Sequence, residues 1–312
     1  MPIELRQLGR TGVDVAILGY GTMELRGSPP GKAIDDAAAG AILNAALDGG
    51  VTLIDTSIDY GRSEELIGTY LHGRRDEYFL ASKCGCPLGP PEPGTQPPYA
   101  HDYHPENIRA GIEQSLRRLR TDRLDLVQLH MSPSIGQLHA SGSLEALTQL
   151  RDDGKVRFIG MSGALPELPD QIGTGVFDVF QIPYSVVRRE HEDLIGAAAA
   201  AGAGTIIRGS TARGALASVA AAGEVTGAKR TGGMSTAEAL ERWQSAGLED
   251  LLDGLTRHEF GLRFALSHPQ VSVALSGTAD IDHLRANLAI AEKGALPPEI
   301  YQRAATLLTA RS

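Results

Sequence analysis

The chain has 312 residues, 42% of them hydrophobic and 21% charged, which suits a folded globular core and excludes a disordered, collagen-like or coiled-coil architecture. Twenty-nine basic against 38 acidic residues leave a net charge of −9, so binding to nucleic acid or to an anionic membrane surface is not expected. Two cysteines, Cys84 and Cys86, cannot build a disulfide framework. The first residues show no basic-then-apolar leader pattern, and no apolar run reaches membrane-spanning length, so a cytoplasmic protein is expected.

The opening segments 4–8 and 13–17 flank Gly9-Arg10-Thr11-Gly12 and predict a β-hairpin. After it, short apolar runs at 16–19, 51–55, 78–83, 124–130, 156–161, 176–181, 204–208 and 271–275 read as eight strands buried on both faces. Amphipathic stretches at 34–47, 105–119, 144–150, 190–201, 258–267 and 281–292 read as helices between them. Such an alternation predicts an α/β fold, the eight-stranded parallel TIM (β/α)8 barrel, plugged by the hairpin at one end and organised as one domain over 1–312. An open doubly wound sheet is the alternative, weakened because Gly19-Tyr20-Gly21 continues to Glu24 and makes no Gly-x-Gly-x-x-Gly.

Two segments interrupt the alternation: 84–104, with six prolines, and the Gly/Ala-rich 209–233. Both follow strand ends on the face where barrels build their sites, and long loops in compact domains are mostly functional.

Asp55, Lys83 and His130 end the second, third and fourth strands, and Tyr60 lies on the loop after Asp55. Ionisable groups at that end of adjacent strands converge on one mouth. An Asp55–Lys83 pair keeps the lysine charged, and an ammonium beside Tyr60 lowers its phenol pKa. A tuned tyrosine near a histidine can protonate a carbonyl oxygen whose carbon receives hydride. Separate surface ion pairs and a core histidine are the plainer alternative.

The run Asp55-Thr56-Ser57-Ile58-Asp59-Tyr60-Gly61-Arg62-Ser63-Glu64 resembles the Asp-Thr-x-x-x-Tyr-Gly-x-Ser-Glu signature of the aldo-keto reductases. Ser115 to Leu119, then Asp122 and Asp125 to His130, resembles the family's second signature, and the likeness runs from about Leu5 to Ala291. The resemblance implies NADPH-dependent reduction of an aldehyde or ketone by hydride transfer, with NADH as the possible substitute and a small carbonyl compound as the partner. It makes Tyr60 the general acid, Lys83 the group that lowers its pKa, Asp55 the holder of Lys83, and His130 the orienting group for the carbonyl. The alternative it leaves open is a cofactor-binding interaction subunit without turnover, as in potassium-channel β subunits.

For the cofactor, the resemblance assigns Gly21, Thr22 and Met23 to the nicotinamide ribose, and Ser162 and Gln181 to the carboxamide. Gly163 stands where the family usually has Asn. Arg208, Gly209 and Ser210 occupy the place of a stacking aromatic residue and its Ser-Pro-Leu, so Arg208 stacks on the nicotinamide or is a buried structural arginine. Gly277, Thr278, His283 and Asn287 match the segment gripping the adenosine half, and His283, Arg285, Lys229 and Arg230 are the candidates for a 2′-phosphate. Met23, Met131, Tyr99 and Tyr103 near the mouth suggest an apolar substrate, and Trp243 either touches it or packs between helices. Cys84-Gly85-Cys86 and His101-Asp102-Tyr103-His104 carry metal-binding residue types, but their spacing predicts no tetrahedral set, and no metal is expected.

Overall fold

The computed structural model describes residues 2–28, 33–89, 100–212, 216 and 234–309. The chain begins with the expected hairpin, β1 (Leu5–Gln7) antiparallel to β2 (Asp14–Ala16). Eight parallel strands follow: β3 (Leu18–Gly21), β4 (Leu53–Asp55), β5 (Phe79–Cys84), β6 (Leu124–Leu129), β7 (Val156–Ser162), β8 (Val179–Pro183), β9 (Gly204–Arg208) and β10 (Val273–Ser276). They pair in chain order, and β10 returns to β3 to close the barrel.

The apolar runs form strands because both faces are needed. Leu53, Phe79, Ala81, Leu126, Val179, Ile206, Val273 and Leu275 point inward and make one cluster. Their neighbours Ile54, Leu80, Val127, Ile182, Ile207 and Ala274 join the larger core around the barrel. Side chains that alternate in this way give no polar face, hence the unbroken apolar runs. Leu8 and Val15 of the hairpin are fully buried in the inner cluster, so the hairpin closes the bottom of the barrel. Arg10 clips it there, its backbone N–H donating to Gly202 O (2.7 Å) and its guanidinium to Ala201 O (2.5 Å).

Strand limits differ from expectation by a few residues. The hairpin takes Ala16, so β3 starts two residues later than predicted. The strand expected at 176–181 is β8 at Val179–Pro183, because the Asp178 carboxylate accepts from Ile159 N (3.0 Å) at its threshold and Val176 is exposed.

The six predicted helices are present as α1 (Asp36–Asp48), α3 (Pro105–Leu119), α5 (Ser143–Asp152), α7 (Glu192–Ala200), α9 (Arg257–Ser267) and α10 (Ile281–Lys293). Five more were not expected: α2 (Ser63–Tyr70), α4 (Ile135–Ser141), α6 (Leu168–Gly173), α8 (Thr236–Ser245) and α11 (Pro298–Thr309). On α8, Trp243 is fully buried, donates Nε1–H to Glu249 Oε2 (2.6 Å) and meets Phe260 edge-on, so it packs between helices and does not reach a substrate. Cys84 and Cys86 are both free, buried thiols. Among the described residues no helix is long and apolar enough to cross a membrane.

Candidate active site

Following the inward-facing positions upward through the barrel leads from apolar to polar residues. Leu53 is followed two residues later by Asp55, Ala81 by Lys83, Leu126 by Gln128, Val179 by Gln181 and Ile206 by Arg208. The period of two places all these polar groups in one layer at the C-terminal mouth.

Asp55 is the centre of this layer. Lys83 Nζ donates to its Oδ2 (2.7 Å), while Gln128 Nε2 (3.0 Å) and Gln181 Nε2 (2.8 Å) both donate to Oδ1. Lys83 also donates to Thr56 O (2.8 Å), and its side chain is only 1% exposed. Burial favours loss of the Lys83 proton, but Asp55 and its other neighbours outweigh burial and raise its pKa above the ordinary lysine value.

Tyr60 lies in the turn after β4, with Lys83 Nζ 4.9 Å from its ring centroid. Gly61 adopts φ +49°, and any Cβ there would sit 2.2 Å from Arg26 O, so the turn that presents Tyr60 requires glycine. The expectation of a depressed phenol pKa is corrected. Burial lifts Tyr60 above its ordinary value, and Lys83 pulls only partly against that. His130 follows β6, anchored by its N–H to Cys84 O (3.1 Å). Burial lowers its pKa to about 3 against the attraction of Asp59, which leaves a neutral imidazole.

Two acids of the signatures serve the frame. Asp125 faces outward and accepts from Leu80 N (2.9 Å), Arg75 (2.7 Å) and Arg157 (2.6 Å), tying β5, β6 and β7 together. Glu64 is buried, accepts from Ser82 Oγ (2.8 Å) and stands 3.5 Å from Arg118. Burial raises its pKa above the usual 4.5, so the native state holds this proton more tightly than the unfolded chain does. That contribution is present at low pH and is lost as pH rises through the folded-state value. Glu64→Gln is therefore expected to gain stability relative to the unaltered chain as pH rises above 4.5. Denaturant midpoints of both proteins across that range check this, and parallel curves would refute it.

The residues assigned to the cofactor ring the same mouth. Gly21 pairs with Asp55 in register, and Thr22 Oγ1 donates to Asp55 O (3.1 Å), with half-buried Met23 in the same short turn. Ser162 Oγ donates to Gln181 Oε1 (3.2 Å), so this pair is wired through Gln181 to Asp55. A Cβ at Gly163 would meet the side-chain ends of Gln171 (Oε1, 2.8 Å) and Leu168 (2.9 Å), which would have to shift to admit the family's Asn. Arg208 is half-buried at the end of β9, and its charge bears on Tyr60, His130 and His191. Gly209 follows it, and Ser210 Oγ is committed to Leu275 O (2.9 Å).

Tyr20 Oη donates to Thr278 O (2.6 Å), and a Cβ on Gly277 would lie 2.6 Å from Gly21 O, so the ends of β10 and β3 touch. Asn287 is buried, donating to Ser276 Oγ (2.9 Å) and meeting His258 Nε2 (2.6 Å). His283 is exposed in the first turn of α10, where the Asp280 carboxylate caps the backbone, and Arg285 is paired with Asp282 (3.0 Å). Lys229, Arg230 and Tyr99 lie outside the described residues.

Reading by spacing missed three features. Gln128 faces inward on β6, two residues before His130, a relation visible in their separation. Gln171 comes from a helix that was not predicted. Cys86, His101 and His130 converge, with one ligand atom from each all within 4.8 Å of one another.

A closed parallel barrel whose mouth gathers a buried Asp–Lys pair, a tyrosine and a neutral histidine defines a barrel oxidoreductase. The chain belongs to the Aldo/keto reductase family, which it matches over residues 17–308, and it is an NAD(P)H-dependent oxidoreductase. It is similar to the uncharacterized oxidoreductase YqkF of Bacillus subtilis, at 27% identity over 94% of this chain and 93% of that one. It is also similar to L-galactose dehydrogenase of Arabidopsis thaliana, at 36% identity over 56% of this chain and 52% of that one. Among solved structures, the holo form of aldo-keto reductase AKR11C1 from Bacillus halodurans superposes with a TM-score of 0.81, at 27% identity over 98% and 96% of the two chains.

The donor set fits a nicotinamide. Ser162 and Gln181 present a hydroxyl and an amide side by side at adjacent strand ends, each with lone pairs left to complement a primary carboxamide.

Proposed function

We propose that this protein reduces an aldehyde or ketone to an alcohol with NADPH, and that Tyr60 delivers the proton. The observation that carries this reading is the buried ammonium of Lys83, bonded to Asp55 and lying over the Tyr60 ring. When bound, the nicotinamide supplies a hydride for the carbonyl carbon. The carbonyl oxygen then gains negative charge, and Tyr60 Oη–H gives it a proton. The O–H bond of the phenol breaks, an alcohol O–H bond forms, and solvent returns a proton to Tyr60. A phenol lifted by burial keeps its proton until this demand arises, and Lys83 stabilises the phenolate left behind. Asp55 keeps Lys83 charged and in place. Neutral His130 can donate one N–H to orient the carbonyl.

Ser162 and Gln181 would hold the carboxamide, Gly21, Thr22 and Met23 the adjoining ribose, and Arg208 with Gly209 and Ser210 the open face of the ring. Gly277, Thr278, His283 and Asn287 would hold the adenosine half. The choice of NADPH rests on family habit together with the basic side chains of His283 and Arg285, and Asp280 and Asp282 work against it. The reading takes residues 1–312 as one working domain in the cytoplasm, where its two thiols stay free. Asp59, His101 and His130 make the mouth more polar than Met23, Met131 and Tyr103 alone suggest, and the name of one relative, L-galactose dehydrogenase, points to a hydroxylated substrate. Sugar aldehydes therefore belong beside apolar ones in a substrate screen.

Parallel fluorescence titrations with NADPH and NADH, followed by carbonyl turnover, test the proposal. Saturable binding that is tighter for NADPH, with its oxidation on adding a carbonyl compound, is expected. Tighter NADH binding would overturn the cofactor choice alone. Binding without turnover on any carbonyl compound would favour the interaction subunit, and no binding of either nucleotide would refute both.

A further inference from the structure

The Cys86 thiol and the His101 imidazole, which meet His130 beside the mouth, play no part in the proton chemistry above. Cys86 Sγ lies 3.2 Å from His130 Nδ1, and His101 Nε2 lies 3.4 Å from the same nitrogen. Tetrahedral zinc with a Zn–S bond of ~2.3 Å and Zn–N bonds of ~2.05 Å sets S···N edges of ~3.6 Å and N···N edges of ~3.3 Å. Two of the three separations match those edges to within a few tenths of an ångström, and the ligand atoms of Cys86 and His101 lie within 4.8 Å of each other.

The backbone around these groups is held in advance. Asp102 N donates to Gly85 O (2.9 Å), and Asn107 Nδ2 donates to Cys86 O (3.2 Å) and Asp102 O (2.7 Å). Tyr103 packs on Gly85 and donates its Oη–H to His130 O (2.6 Å). The 101–104 segment is thus laced onto the Cys-Gly-Cys turn after β5 and onto the end of β6, which positions three ligands drawn from three parts of the chain. The charge balance also suits a cation. The Asp59 carboxylate stands 3.8 Å from His130 Nδ1, and the nearby Lys83 ammonium is already neutralised by Asp55.

We propose that Cys86 Sγ, His101 Nε2 and His130 Nδ1 form a site for one zinc ion at the mouth of the barrel. One thiolate and two imidazoles select borderline-soft transition metals over magnesium or calcium. On binding, the S–H bond of Cys86 breaks, its proton leaves to solvent, and a sulfur–metal bond forms. Coordination through Nδ1 leaves the ring proton of His130 on Nε2, so the metal fixes the imidazole tautomer. The fourth position of the tetrahedron stays open toward water or a ligand oxygen.

Cobalt(II) is the probe, because its spectrum reports both sulfur ligation and geometry. The full chain, stripped with a chelator, is titrated with Co2+ and read by absorption. The expected result is one equivalent bound, with a thiolate-to-cobalt charge-transfer band in the near ultraviolet, intense visible bands of tetrahedral cobalt, and bleaching of both by Zn2+. Cys86→Ser should abolish the charge-transfer band, and His101→Gln, at a half-buried position, should weaken binding about tenfold or more. No charge-transfer band in the unaltered protein would overturn the site, as would a band that survives Cys86→Ser or an affinity unmoved by His101→Gln. Carbonyl reduction is not read in this experiment, so its outcome is independent of the reductase proposal.

Discussion

Tyr60→Phe is expected to lower kcat for carbonyl reduction by about 10²–10⁴-fold, the usual contribution of a positioned general acid. The change removes one oxygen and keeps the ring over which Lys83 sits, 4.9 Å from the centroid, so the Asp55–Lys83 pair has no reason to move. Cofactor affinity should therefore stay close to that of the unaltered chain, as should the unfolding midpoint. Steady-state kinetics with the best substrate of the screen, alongside a nucleotide titration, separate these effects. If the variant turned over at the original rate, the proton would have to come from elsewhere, and the assignment of Tyr60 would fail.

Lys83→Met acts on stability as well as rate. It leaves the Asp55 carboxylate, with a side chain 4% exposed, without its cation, and Thr56 O without a donor. Breaking a buried pair by removing one partner typically costs about 3–5 kcal/mol. The amides of Gln128 and Gln181 still donate to Asp55 Oδ1, which places the expected loss toward the lower end of that range. Adding Asp55→Asn removes the stranded charge, so the double variant should be less destabilised than the sum of the two single changes. Denaturant unfolding of all three variants measures this, and strictly additive losses would show that the pair does not act as a unit. Activity should fall in each of them, because the phenolate of Tyr60 loses its cation when Lys83 is replaced, and Lys83 loses the carboxylate that holds it when Asp55 is.

The barrel and its polar rim were legible because both follow from a period of two. Asp55, Lys83 and Gln181 each stand two residues beyond an inward apolar residue, and a signature fixes the distance from Asp55 to Tyr60. The missed helices have a different origin. α2 holds Gly68 and β-branched Ile67 and Thr69, poor helix formers, and exists because it packs tightly on α3, where a Cβ at Gly68 would lie 2.1 Å from Arg118 O. α8 did carry a signal, the Ser235–Glu238 capping box, in which each residue's side chain accepts from the other's backbone N–H. The direction of the Tyr60 shift was not legible at all, since it depends on how much water the mouth excludes. Nor was the meeting of Cys86, His101 and His130, which requires the 101–104 segment to fold back across β5.

The bonds around Asp55 bear on how the molecule comes into being. The carboxylate accepts from side chains 28, 73 and 126 positions away in the chain, on three different strands. A nascent or partly refolded chain can join Asp55 to Lys83 early, but Gln181 arrives only once β8 has taken its place in the ring. The charge is then partnered on every side only when the circle of strands is nearly complete, and contacts of such sequence separation form late. The polar layer around Asp55 is thus complete only with circular closure. Recovery of turnover during refolding is therefore expected to keep time with the last strands, and molecules arrested with the ring still open are expected to contribute none.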